Sequence, residues 1–187
     1  MSRFKALFKD SAKELKNVRC ITLSAMLAAM AVVLGQFTIV VSNHLKIGFT
    51  FLPMRTVYYL FGPFVGSIFA AAMDVLNYIV KPTGPFHPGF TINAAISGLI
   101  FGLILYKKPL KLSRVFIATT INMIVVNLIL NTFWISTVTG NAFIAMIPVR
   151  IFKNILLLPI EAGLLFSLTK ALEITGALKL LSINSNK

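Results

Sequence analysis

Six nearly continuous apolar blocks, at residues 20–41, 49–61, 63–80, 91–106, 114–138 and 148–172, are separated by short stretches rich in proline, glycine and lysine. A helix needs on the order of 20 apolar residues to cross the hydrocarbon core of a bilayer. The first, fifth and sixth blocks reach that length on their own. The second and third are short and meet at Gly62-Pro63, a pair suited to a tight turn between antiparallel helices. The pattern predicts an all-α membrane protein with six transmembrane helices in one domain, residues 20–172 forming the bundle. Ahead of it, Phe4, Leu7, Phe8, Leu15 and Val18 recur at helical spacing with lysines between them, as in a helix lying on a membrane surface. The charged region is too long for a cleavable signal.

Composition agrees with this reading. The 187 residues are 57% hydrophobic and 12% charged, with mean hydropathy +0.87, whereas soluble domains carry roughly 25% charged residues. The net charge of +13 is unevenly placed. Arg3, Lys5, Lys9, Lys13, Lys16 and Arg19 precede the first block. Lys107, Lys108, Lys111 and Arg114 lie between the fourth and fifth, and Lys170, Lys179 and Lys187 close the chain. With six spans these regions share one side, and the other side carries little beyond Lys46, Lys81 and Arg150. The positive-inside rule then puts both termini in the cytoplasm, making residues 1–18 an amphipathic cytoplasmic segment and 173–187 a cytoplasmic tail. The charge is a topology signal with attraction to anionic lipid, not a nucleic-acid footprint.

Polar groups inside apolar blocks are costly and should face a cavity or a partner. Asp74, Tyr78 and Lys81 share a helical face that runs toward the connection at 81–90. Asp74 either accepts hydrogen bonds from a ligand or forms a salt bridge, with Arg55 and Lys81 as candidate partners. The fifth block carries Asn122, Asn127, Asn131 and Trp134. Of these, Asn127, Asn131 and Trp134 stack on one face, either as helix–helix glue or as a ligand surface with an indole for stacking. Pro148-Val-Arg-Ile-Phe-Lys-Asn154 reads as the opening of the sixth helix. Arg150 there is an anion site near free amides, or else Arg150 and Lys153 snorkel to headgroups. Glu161 lies deeper and is expected to pair with a helix partner or another subunit. The connection at 81–90, with its prolines, glycines, lysine, histidine and phenylalanines, reads as a lid over a ligand site or as a merely structural turn.

No phosphate-binding loop, metal-spaced cluster or nucleophile motif is present in the sequence, so no catalytic residue, metal or cofactor is expected, and active transport would need ATPases on partner subunits. The lone Cys20 excludes an internal disulfide. Both histidines, His44 and His87, fall in extramembrane connections. Ala25 and Ala29 lie four apart on the first helix, a small-residue face that admits close approach by another helix, within or between molecules.

Over residues 20–172 the chain resembles the substrate-binding (S) components of energy-coupling factor (ECF) transporters, in particular the folate-specific branch. The resemblance rests on Lys46-Ile-Gly-Phe-Thr-Phe-Leu-Pro53, Phe61-Gly-Pro-Phe-Val-Gly66, Lys81-Pro-Thr-Gly-Pro-Phe-His-Pro-Gly-Phe-Thr91, Asn131-Thr-Phe-Trp134 and the Pro148–Asn154 stretch. It implies a bacterial cell-membrane protein with a site for folate or reduced folate near the extracellular side. It further implies a docking face at Ala25 and Ala29 for a transmembrane coupling subunit, and two cytoplasmic ATPases as further partners. For such a ligand, Phe49, Phe86, Phe90 and Trp134 can supply stacking faces. Asn93, Asn127, Asn131 and Asp74 can supply hydrogen bonds, and Lys81, Arg150 and Lys153 positive charge. The alternatives are an S component for another vitamin and a stand-alone secondary transporter.

Overall fold

Asn17 starts the first long helix by accepting a hydrogen bond from the Arg19 N–H (3.1 Å), which satisfies one of the donors a helix start leaves without an internal partner. The computed structural model describes residues 2–40, 46–82, 86–140 and 143–175. Helix α1 (Ser2–Glu14) precedes α2 (Val18–Gln36), and two short antiparallel strands follow, β1 (Thr38–Val40) and β2 (Lys46–Gly48), with Ile39 opposite Ile47. Then come α3 (Phe51–Val80), α4 (Pro88–Leu105), and a long helix in three parts: α5 (Leu112–Asn122), a π-helical stretch Met123–Leu130, and α6 (Asn131–Thr139). Helix α7 (Phe143–Ile174) ends the order. Among the described residues five helices are long and apolar enough to cross a membrane: Val18–Gln36, Phe51–Val80, Pro88–Leu105, Leu112–Val138 and Ile147–Ile174. The strands differ from the sequence expectation, which carried the first apolar block as helix to residue 41. Thr38, Ile39 and Val40 are β-branched and favour extended backbone once the helix has ended.

Helix α3 reverses direction at Gly62, whose φ of 84° and ψ of −169° lie outside any helical conformation. A straight helix would hold Phe51 and Asp74 about 35 Å apart, yet both line one cavity. A Cβ at Gly66 would lie 3.4 Å from the Cα of Tyr58, so the two halves run against each other. This is the turn expected at Gly62-Pro63.

The reversal strands backbone groups, and α1 satisfies them. The Ser11 hydroxyl donates to the Phe61 carbonyl (2.5 Å) and accepts from the N–H groups of Phe64 and Val65 (3.1 Å each). Ser11 is fully buried. It thus acts as an N-terminal cap supplied from a distant helix, because glycine and proline at the junction have no side chain that could do so. The surface-helix reading of residues 2–18 is therefore incomplete: one face of α1 is docked on α3. Ser11→Ala is expected to destabilise the protein by about 1–3 kcal/mol, read as a lower thermal midpoint in detergent. A melt superimposable on that of the parent would remove the capping role.

The second half of α3 packs on α4 through glycines on both sides, Gly62 and Gly66 facing Gly98 and Gly102. A Cβ at Gly98 would come within 2.3 Å of the Gly66 carbonyl oxygen, and one at Gly102 within 2.5 Å of the Pro63 Cα. Small residues spaced four apart are what let membrane helices touch backbone to backbone. Around this contact Val57, Tyr58, Phe61, Val65, Phe101 and Leu105 build the core, joined by Val115, Ala118, Ala162 and Leu165 from α5 and α7. Elsewhere large apolar side chains such as Met26, Met30, Ile151 and Ile155 are exposed, as expected of surfaces solvated by lipid tails.

Candidate functional site

Inside the bundle a cavity of about 290 Å³ is lined by both halves of α3, by α4 and by the π-helical region. From α3 come Phe51, Met54, Arg55, Tyr58 and Asp74. Phe90, Asn93, Ala94 and Ser97 come from α4, and Asn122, Val126, Asn127 and Asn131 from the long helix. Four asparagines, a carboxylate and a guanidinium thus meet three aromatic rings in an otherwise apolar protein.

The π-helical stretch explains why three asparagines of one helix reach the cavity. In an α-helix residues five apart point about 140° away from each other. In Met123–Leu130 the hydrogen bonds widen by one residue, as when the Asn131 N–H donates to the Val126 carbonyl, and residues five apart come onto one face. Asn122 therefore joins Asn127 and Asn131. Sequence reasoning on α spacing placed Asn122 off that face, and no local signal marks the π register. Asn127 also reaches α7, its Nδ2 standing 3.5 Å from the Asn154 Oδ1.

Arg55 brings a cation to the cavity wall. Its Nη2 donates to Glu161 Oε2 at 2.6 Å, with side-chain exposures of 7% and 23%. Its guanidinium carbon lies 4.7 Å from the Phe51 ring centroid and 4.6 Å from that of Phe101, a cation–π sandwich. Asp74 has a different partner: its Oδ2 accepts from the Thr91 hydroxyl at 2.7 Å. The salt bridge considered for Asp74 with Arg55 is thus not the one formed, because Arg55 is held by Glu161. The expectation that Glu161 pairs with a helix partner is met. The arginine itself carried a signal that could have been used, since a guanidinium within an apolar block is costly unless it serves a site.

Among the described residues, three buried polar atoms of the lining have no hydrogen-bond partner: Arg55 Nη1, Asn93 Nδ2 and Asn122 Oδ1. The first two are donors and the third an acceptor. Asn93 is oriented by Trp134, whose Nε1 donates to Asn93 Oδ1 at 3.1 Å. An indole can only donate, so the amide nitrogen is left unpaired. Such groups cost free energy when buried alone, and a ligand with complementary atoms relieves that cost.

Beside Phe90 and Asn93 of the lining, aromatic groups cluster. The His87 ring lies 5.0 Å from Trp134 and 5.9 Å from Phe90, and Phe86 packs edge-on against Tyr78 at 5.1 Å. His87 Nδ1 also caps α4 by accepting from the Gly89 N–H (3.1 Å). Gly89 is required here, because a Cβ would stand 2.3 Å from the indole. The expected lid at 81–90 includes residues 83–85, which lie outside the described residues, as do His44 and the tail at 176–187.

Of the residues picked from sequence, Asp74, Phe90, Asn93, Asn127 and Asn131 converge on the cavity, and Trp134 is bonded to its wall. Phe49, Lys81, Phe86, Arg150 and Lys153 lie outside the described lining. Helix α7 begins at Phe143, not Pro148. Arg150 is accordingly the eighth residue of α7, beyond the free amides on which the anion-site reading relied. Ala25 and Ala29 are exposed on α2.

An apolar helical bundle with a polar interior cavity is the form of a membrane transport component. Residues 19–169 match the family model of the ECF transporter substrate-specific component, and the chain belongs to that family; it is a transporter subunit and not an enzyme. It is 30% identical to the folate transporter FolT of Clostridium novyi, over 85% of this chain and 92% of that one. It is 33% identical to FolT of Leuconostoc mesenteroides, over 81% and 85% respectively. Among solved structures, the crystal structure of FolT bound with folic acid superposes with a TM-score of 0.73 at 33% identity, covering 81% of this chain and 93% of that one.

Proposed function

We propose that the chain is the folate-binding membrane subunit of an ATP-driven ECF uptake transporter in the bacterial cell membrane. The observation that carries this reading is the chemistry of the cavity. A pterin is flat and edged with donors and acceptors, and the cavity offers Phe51, Tyr58 and Phe90 as faces beside unpaired donors on Arg55 and Asn93 and an unpaired acceptor on Asn122. Asp74, Asn127 and Asn131 add hydrogen-bonding groups, and Phe49, Phe86 and Trp134 add aromatic faces. Lys81, Arg150 and Lys153 supply positive charge for the carboxylates of the glutamate. Similarity to the folate transporters over most of both chains points the same way. Folic acid titrated into the purified chain should saturate about one site and change the fluorescence of the single tryptophan, Trp134. Titration heats and fluorescence indistinguishable from buffer, or a response to a different vitamin instead, would retire the folate assignment.

In the membrane each half of α3 crosses separately, giving six spans with both termini cytoplasmic. The support for this is that α1 and the basic α4–α5 connection lie on one face, tied by Lys107 Nζ and Asp10 Oδ2 at 2.8 Å, and that basic segments remain inside. A transmembrane coupling subunit docks on Ala25 and Ala29, and two ATPases supply the energy. Ala25→Trp or Ala29→Trp should leave folate binding by the isolated chain unchanged while abolishing co-purification with the coupling subunit and uptake. Loss of folate binding with assembly intact would assign that face to the ligand instead.

A further inference from the structure

A second pocket, sharing no residue with the cavity above, opens between α1 and the α4–α5 connection. It measures about 600 Å³ and is lined by Phe4, Leu7, Leu103, Lys107, Lys108, Pro109 and Arg114. That volume is within the range of small-molecule sites. We propose that it binds one anionic phospholipid, the phosphate lying against Lys107, Lys108 and Arg114 and an acyl chain against Phe4, Leu7 and Leu103.

The lining is divided in the way such a molecule requires. Leu103 belongs to α4, a helix apolar enough to cross the membrane; Lys107 and Lys108 follow directly after that helix ends, and Arg114 lies in the first turn of α5. The pocket therefore sits where headgroups give way to acyl chains, the level at which basic residues between helices recognise anionic lipid. Phe4 is 53% exposed and stacks on Phe8 at 5.4 Å between centroids, an apolar surface that an acyl chain would cover. A soluble anion would gain nothing from that wall, and a zwitterionic lipid, whose phosphate is balanced by its own ammonium, would gain less from three cations than a lipid with a net negative charge.

The cations are held in place. Lys108 Nζ donates to the Leu103 carbonyl and Arg114 Nη1 to the Pro109 carbonyl, both at 2.8 Å. Lys107 Nζ meets Asp10 Oδ2 at 2.8 Å, and this hydrogen bond holds the Asp10 carboxyl below its ordinary range. Asp10 and Glu14 both act on Lys107, and the pocket lining itself, with three cations and no carboxylate, remains net positive. Anchoring of this kind orders the headgroup site before the lipid arrives.

The full chain in a neutral detergent, offered phosphatidylglycerol or phosphatidylcholine with identical acyl chains, provides the test by native mass spectrometry. One phosphatidylglycerol should be retained per chain, on the order of 30-fold more tightly than phosphatidylcholine, as two net charges near a headgroup imply. Lys107→Gln/Arg114→Gln should erase that preference. Lys16→Gln/Arg19→Gln, which removes the same charge outside the pocket, should preserve it. Should the Lys107 variant fail to fold through loss of its Asp10 contact, Arg114→Gln alone should reduce retention roughly 5-fold. Equal retention of the two lipids by the parent, or equal losses in the two double variants, would overturn the proposal. Displacement of bound phosphatidylglycerol by millimolar inorganic phosphate would overturn it too, by making this a site for a soluble anion.

Discussion

Arg55→Ala is expected to abolish measurable folate binding and to lower stability together. The guanidinium is 7% exposed and bonded to Glu161 at 2.6 Å. Its removal leaves a carboxylate without its cation among apolar side chains, at a cost of about 3–5 kcal/mol. It also removes the unpaired Nη1 donor from the cavity wall and the cation between the rings of Phe51 and Phe101. The two losses can be separated. In Arg55→Met/Glu161→Leu no charge is stranded, so the thermal midpoint should recover while folate titration remains flat. A double variant that binds as the parent does would make Arg55 a structural residue only. Arg55→Lys should not restore full affinity, because an ammonium cannot present the planar fork that bonds Glu161 and a ligand at once.

Gly98→Leu should prevent the bundle from assembling. The atom nearest to a Cβ at that position is the Gly66 carbonyl oxygen at 2.3 Å, with the Gly66 carbonyl carbon at 2.6 Å. Backbone cannot swing aside as a side chain can, so α3 and α4 would have to part. These helices carry Arg55, Tyr58 and Asp74 on one side and Phe90, Asn93 and Ser97 on the other, so the cavity would open with them. Loss of the monodisperse peak on size exclusion and of folate binding is the expected result. Even Gly98→Ala should be damaging, at about 1–3 kcal/mol for overpacking. Gly163 is the contrasting case, since a Cβ there meets nothing within 4 Å. Gly163→Ala should be neutral or slightly stabilising, given the entropy glycine loses in a helix. Similar behaviour of the two alanine variants would show that close approach of α3 and α4 is not what assembles this protein.

Much of this architecture is legible locally. The apolar blocks, the Gly62-Pro63 reversal and the placement of Asp74, Asn127 and Asn131 follow from two costs imposed by lipid, those of an unsatisfied backbone and of a polar side chain without a partner, while Phe90 and Asn93 were reached through the family resemblance. The start of α7 was less legible. Proline at position 148 looks like a helix opening, but the helix runs from Phe143 through it.

The sequence by itself determined that this is an apolar helical membrane protein, where its chain reverses, and which of its polar residues had to face something other than lipid. Only the tertiary structure decided what they face. Arg55 and Glu161 are 106 residues apart in the chain and bonded in space, and the register of a π-helical stretch turned Asn122 into the cavity. Ser11 caps a helix break some 50 residues away, while Gly98 seats against Gly66. The physical reason is the same in each case. Burial cost belongs to a residue and can be read one position at a time, but the partner that relieves it is selected by three-dimensional packing, for which neighbouring residues carry no signal.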